Sequence, residues 1–367
     1  MTQFLSDLLD LAVQIQQIPA PTFAEGPRAE FVRQRFQAEG LKDVSLDSVG
    51  NVYARLPGKN KRTPPLIVSA HLDTVFPPET NLRVTRDAQR IHGPGIGDNS
   101  MGVAALFGLA WLLRERKVQL PGDLWLAANI GEEGLGDLRG MKAVVERFGG
   151  DVTAYLVLEG MALGHVYHRG VSVQRYRVTT RTAGGHAWSD YGQPSAIHEL
   201  SALAAQITNL PLPPSPRTTM NIGRIAGGTG INVIAGEASL ELDMRSESSS
   251  VLVDLVSRVD ELISLANRKG VKVEAESIGH RPGGEIPADH PFIELAQDCL
   301  HAQGLESALI AGSTDANVPL SKGYPALVLG VTTGGGAHTA NEYIDVAPVE
   351  KGMEQLFSFV TRVREIQ

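Results

Sequence analysis

The chain has 367 residues, 43% of them hydrophobic and 20% charged, with a net charge of −8. This balance excludes disorder through the body of the chain, and the length points to two domains. The acidic balance, with no Lys/Arg-rich block, excludes an electrostatic nucleic-acid footprint, and the single Cys299 excludes an internal disulfide and fits a reducing compartment.

From Met1 to Pro19 there is no basic leader segment, and Asp7 and Asp10 interrupt the apolar periodicity, so an amphipathic helix is expected in place of a signal peptide. Leu5 to Ile18 and Gly26 to Gly40 have helical spacing, the second ending at a glycine stop. Buried strands are expected at Leu66 to Ala70, Leu124 to Ile130 and Tyr155 to Leu158, with a helix from Ser100 to Arg116 between the first two. The longest strongly apolar stretch, Val103 to Leu113, is too short to span a bilayer, so no membrane partner and a cytoplasmic location are expected.

The middle of the chain changes character. Val171 to Arg181 alternates like a half-exposed antiparallel strand. A helix over Ile197 to Leu210 follows, then a proline-rich loop to Pro216, a strand over Ile231 to Arg245, a helix over Val251 to Lys269 and a strand over Val271 to Ser277. This suggests a β-α-β-β-α-β unit, ferredoxin-like in layout. Gly279 to Gly284 reads as a linker, after which a helix (Pro291 to Gly304), a strand (Ala326 to Gly330) and a final helix from Val349 resume the α/β pattern. The expected fold class is α/β, a mixed-sheet catalytic domain over 1–167 and 278–367 with a smaller α+β domain inserted over 168–277.

Acids and histidines gather where apolar strands end. The run Leu66 to Ala70 delivers His71-Leu72-Asp73, and strand alternation puts His71 and Asp73 on one side, where the carboxylate can accept the other imidazole N–H. A surface turn produces the same string. Asp98 follows Gly93-Pro94-Gly95-Ile96-Gly97 at the mouth of a helix, where an N-cap role competes with a ligand role. Glu132 and Glu133 leave the strand ending at Ile130 between Gly131 and Gly134, Glu159 ends Tyr155 to Leu158, and His338 follows Thr332 to Gly336. In an open α/β sheet the carboxyl ends of strands converge on one crevice. Two histidines and several carboxylates there, with no thiolate, form a ligand set suited to zinc, cobalt or manganese.

With Ser69 to Val75, Gly97-Asp98, Gly131 to Gly134, Glu159 and Ala337-His338 in this order, the chain resembles the di-zinc exopeptidase and aminoacylase superfamily, over essentially its whole length. Relatives in that superfamily are peptidase T, carboxypeptidase G and acetylornithine deacetylase. The resemblance implies two divalent metal ions, Zn2+ or else Co2+ or Mn2+, bridged by Asp98, with His71 and Glu159 completing one site and Glu133 and His338 the other. It implies Glu132 as general base and Asp73 as the residue orienting His71. Gly184-Gly185-His186-Ala187 resembles the family's lid histidine, which implies oxyanion stabilisation by His186 across a homodimer formed through the lid domain. Asn232, Arg245 and Gly312 fall at family-like substrate positions, an arginine fork suiting a carboxylate. After Asp98 this chain reads Asn99-Ser100-Met101-Gly102, where many relatives carry an acid or methionine, a lysine and a glycine pair. Ile18 to Gly26 and Ser48 to Val52 look most like the peptidase T branch, so the expected substrate is a small peptide, with an N-acyl amino acid as the alternative.

Overall fold

The expected strands at Leu66, Leu124, Tyr155 and Ala326 form the middle of a nine-stranded mixed sheet in the computed structural model, which describes residues 2–366. Its strands are β1 (Lys42–Leu46), β2 (Val52–Leu56), β3 (Leu66–His71), β4 (Leu124–Asn129), β5 (Ala154–Glu159), β6 (His165–Gly170), β7 (Gly284–Glu285), β8 (Ala308–Gly312) and β9 (Ala326–Gly330). The order is β1-β2-β4-β3-β5-β9-β6-β7, with β8 beside β6. The central strands β4, β3, β5 and β9 run parallel, whereas β1, β2 and β7 pair antiparallel at the edges. Every residue of β3 and β9 is buried, which a parallel sheet covered on both faces requires.

Helices cover this sheet. Helix α1 (Gln3–Gln16) buries Leu5, Leu8, Leu9, Ala12 and Ile15 as one stripe, and Thr2 caps its start by accepting the N–H of Leu5. Helix α2 is Gly26–Ala38 and helix α3 is Met101–Glu115. The segment from Ile96 to Glu115 is long and apolar enough to cross a membrane by composition alone, but 89% of its best window is buried inside the protein. It is the core helix, packed on α1 and β3. Helix α4 (Arg139–Phe148) follows β4.

The inserted unit, Val171–Gly283, has its own core. Its four long strands, Ser172–Thr182, Thr218–Gly227, Glu237–Ser246 and Val271–Arg281, are antiparallel and lie side by side in the order second, third, first, fourth, the ferredoxin-like arrangement. Helices Ala196–Thr208 and Ser249–Ala266 pack on this sheet, burying Leu200, Leu203, Leu252, Leu255 and Val259 with it. Cross-strand ion pairs, including Arg177–Glu241 at 3.1 Å and Arg181–Glu237 at 2.8 Å, lie between these strands.

Three expectations for this unit need correction. Thr218–Gly227 is a strand that sequence pattern did not reveal, because it is a largely exposed edge whose apolar alternation stops after Met220 and Ile222, where the register shifts. The strand expected over Ile231 to Arg245 is divided. Val233–Ile234 pairs with Gly185–His186, and the long strand begins only at Glu237. Gly279 to Arg281 continue the last strand against Arg175 to Val173, so they are not linker.

Candidate metal centre and catalytic site

Four strand ends of the first unit supply the cluster. His71 is the last residue of β3 and Glu159 the last of β5, Glu132 and Glu133 follow β4, and His338 follows β9. Asp98 sits at their centre. His71 Nε2 lies 3.1 Å from Asp98 Oδ1, and His338 Nε2 lies 3.1 Å from Asp98 Oδ2. Behind each imidazole stands a second carboxylate, Glu159 Oε2 at 3.8 Å from His71 Nε2 and Glu133 Oε1 at 3.2 Å from His338 Nε2. The ligand atoms of His71, Asp98 and Glu133 all fall within 4.8 Å of one another. One carboxylate thus faces two separate imidazoles, one with each oxygen.

The segment before α3 shows why Asp98 is not a helix cap. Ile96–Ser100 forms a π-type turn in which Asp98 is non-helical (φ −115°, ψ 86°), and its carboxylate meets the two histidines. Asn99, the departure from the family pattern, fastens this turn to β5. Its amide donates to the Leu158 carbonyl at 2.8 Å, and its Oδ1 accepts the Gly160 N–H at 3.0 Å. A Cβ on Gly160 would lie 2.0 Å from the Gly97 carbonyl oxygen, so only glycine allows the approach that brings Asp98 and Glu159 together.

Asp73 acts differently from the expectation. His71 Nδ1 is 3.0 Å from the backbone carbonyl of Asp73 but 3.7 Å from its carboxylate, so the carbonyl orients the ring. The carboxylate instead accepts the backbone N–H groups of Glu132 at 3.0 Å and Glu133 at 2.9 Å, and the Thr22 hydroxyl at 2.9 Å. It therefore holds the turn that presents both glutamates, which Gly131 (φ +65°) and Gly134 (φ +51°) allow from either side. Alternation suggested the same-side placement, but β3 ends at His71, and the chain beyond it no longer follows the pleat.

The charges of the cluster act on one another. Burial disfavours the charged form of His71, but Asp73, Asp98 and Glu159 outweigh it and hold its pKa well above the ordinary value. Hydrogen bonds to Asp98 and Glu133 lift His338 to about 10, against the effect of burial. Burial opposes ionisation of Asp98, yet the two imidazoles bring its pKa below the usual carboxylate range. Glu159 is raised, first by burial, which outweighs the attraction of His71, with the negative charge of Asp98 and Glu133 adding to it. Crowded carboxylates hold protons on both rings, and divalent cations would displace those protons. Two imidazoles aimed by their Nε2 atoms, carboxylate oxygens and no thiolate fit such cations.

A family model for peptidase family M20/M25/M40 matches residues 67–362, spanning every residue of this cluster. The chain belongs to this family. As an M20 protein it is a metal-dependent hydrolase. It is 28% identical over 340 residues to a peptidase M20 domain-containing protein of Schizosaccharomyces pombe, covering 89% of this chain and 77% of that one. It is 23% identical to the succinyl-diaminopimelate desuccinylase of Hahella chejuensis, covering 96% and 95% of the two chains. The crystal structure of aminopeptidase PepT from Bacillus cereus superposes with a TM-score of 0.80 at 23% identity, covering 98% and 99%.

The remaining expected residues of the M20 chain fall elsewhere. His186 and Asn232 lie in the inserted unit and are brought together there: His186 pairs with Val233, and Ala187 N–H donates to the Asn232 carbonyl at 2.9 Å. The exposed His186 ring accepts the backbone N–H groups of Trp188 (3.2 Å) and Ser189 (3.3 Å) at Nδ1, which leaves the proton of the neutral ring on Nε2. Arg245 is held by Asp243, Nε to Oδ2 at 2.6 Å, and Asp243 also receives Arg175 at 2.8 Å. Gly312 ends β8, and a Cβ there would lie 2.5 Å from the Tyr167 ring, so packing by itself requires a glycine at this position. Asp315, which lies in the Gly312 to Ala316 stretch that resembles the family's substrate loop, was given no role of its own by the sequence; it is fully buried and 2.6 Å from the Asn129 amide, with a pKa pushed up to about 7, chiefly by burial. Sequence reading passed over Arg28, whose buried guanidinium donates to the Leu72 carbonyl at 2.8 Å and fixes the turn after His71.

Proposed function

We propose that this M20 hydrolase is a two-metal peptidase of the di-/tripeptidase or aminopeptidase type, similar to peptidase T, acting in the cytoplasm on small peptides. The observation that carries this reading is Asp98, whose two oxygens each face one imidazole backed by its own glutamate. His71 and Glu159 would hold one cation, His338 and Glu133 the other, and Asp98 both; Zn2+ is the expected ion, with Co2+ or Mn2+ as substitutes. When bound, the pair supplies Lewis acidity and positive charge for amide hydrolysis. Glu132 takes the proton of the attacking water and passes it to the leaving amine. His186 donates from Nε2 to the oxygen that gains charge in the transition state. Asn232 and Gly312 line the substrate path, and Arg245 meets the substrate carboxylate once Asp243 yields it.

Metal analysis of purified protein, followed by paired hydrolysis of free and N-acylated forms of the same di- and tripeptides, tests this. The expected result is two ions per chain and a kcat/KM at least ~10-fold higher for the free-amine peptides, a preference of ~1.4 kcal/mol. The reverse preference assigns the chain to N-acyl amino acids, a reading the desuccinylase relative supports. Protein that turns over peptide without any metal overturns the proposal.

The lid histidine is proposed to act across a homodimer. Trp188, Tyr191 and Ile231 beside His186 and Asn232 are exposed apolar groups of the kind a partner covers. Glu132→Ala and His186→Ala homodimers should each be nearly inactive. When the two are mixed at random, half the dimers are hybrids with one complete site, so about a quarter of normal activity returns. If His186 serves its own chain, mixing restores nothing.

A further inference from the structure

We infer that Glu342, a residue outside the ligand set, is the positioning residue that fixes the shared carboxylate Asp98 for both metals. Its side chain is fully buried and sits four residues after His338. Its carboxylate accepts three backbone N–H groups of the Asp98 loop: Gly95 to Oε2 at 2.9 Å, and Gly97 and Asp98 to Oε1 at 2.7 and 2.8 Å. Its own carbonyl takes a fourth, from Gly93, at 2.9 Å. No other side chain receives the Gly95, Gly97 and Asp98 amides among the described residues. A buried carboxylate is otherwise costly, and three N–H donors are what make it tolerable here.

The consequence is geometric. Asp98 lies in a non-helical turn, and its backbone N–H is one of the three groups held. His338 and Glu342 share one short loop, so the chain that brings His338 Nε2 to Asp98 also clamps the backbone beneath Asp98. The separation of the two imidazoles across the shared carboxylate is therefore set by one carboxylate from the same loop. Outer partners of this kind typically contribute 10–100-fold to metal affinity.

This inference rests on Asp98 being the shared ligand. It is tested by titrating metal-free protein with Zn2+ against a chromophoric chelator and recording the visible spectrum of the Co2+-loaded protein. Glu342→Ala should weaken Zn2+ binding at least ~10-fold and broaden or shift the Co2+ bands. Glu342→Gln keeps one oxygen for the Gly97 and Asp98 N–H groups but turns an NH2 towards Gly95, so it should recover part of that loss. Should the alanine variant fail to fold, the glutamine variant alone must still weaken Zn2+ binding. Arg364→Ala serves as the control, since Arg364 donates to the carbonyls of Pro64 and Asp123 at the opposite ends of β3 and β4. It should lower thermal stability without changing Zn2+ affinity. Native affinity in both Glu342 variants, or an equal loss in Arg364→Ala, overturns the inference. Two-metal binding that survives Asp98→Ala instead overturns the reading on which it rests.

Discussion

Glu132→Ala should lower kcat by at least ~10²-fold while the protein keeps two metals per chain. Glu132 and Glu133 are adjacent in sequence and equally buried, and both have their backbone N–H groups on Asp73, while Glu133 Oε1 stands 3.2 Å from His338 Nε2. Glu133→Ala should accordingly lose the ion held with His338, and activity would fall through lost occupancy that added metal partly restores. Elemental analysis of the two variants beside turnover at saturating metal separates these cases. Exchange of the two patterns would exchange the roles, and near-normal turnover in both would remove Glu132 from the mechanism.

Asp98→Ala should have the broadest effect on metal binding, because it takes one ligand from each ion. The loss should exceed the ~10–100-fold contributed by outer partners and leave less than one ion per chain. Folding should survive. Asp98 is only partly buried and its side chain packs in no hydrophobic cluster, so its loss costs the contacts with the two imidazoles but leaves the core intact. The alanine variant without metal should melt lower than the metal-free parent, because the two imidazoles lose the carboxylate between them, and it should gain little from added Zn2+. Calorimetric melting with and without Zn2+, together with metal analysis, checks both halves. Two tightly held ions in this variant would dismiss Asp98 as the bridge.

Glu342 shows where a sequence falls silent. Its neighbours Asn341 and Tyr343 carry no pattern that distinguishes a surface glutamate from a buried clamp, and its three partners lie about 245 positions earlier in the chain. Arg28 escaped notice for the same reason: charged residues are read as exposed unless a long-range partner is known. Asn99 stood out as a departure from the family pattern, but its function, joining the Asp98 turn to the end of β5, depends on that turn and strand end meeting.

Local sequence was enough for the α/β class, the central strands and the cluster of acids and histidines at their ends. Fully apolar runs such as Leu66 to Ala70 leave a chain few alternatives to a buried parallel strand, and an acid or histidine directly after such a run must emerge at the sheet's carboxyl edge. Tertiary contacts decide which of these side chains faces which. Asp73 lay two residues from His71 and read as its carboxylate partner, but once β3 ends the backbone carbonyl takes the ring, and the carboxylate turns to the glutamates after β4. Edge strands such as Thr218–Gly227, largely exposed and alternating only over Met220 and Ile222, likewise needed a neighbour to exist. Burial leaves its mark in local composition, whereas hydrogen-bond partners distant in sequence leave none until the chain has folded.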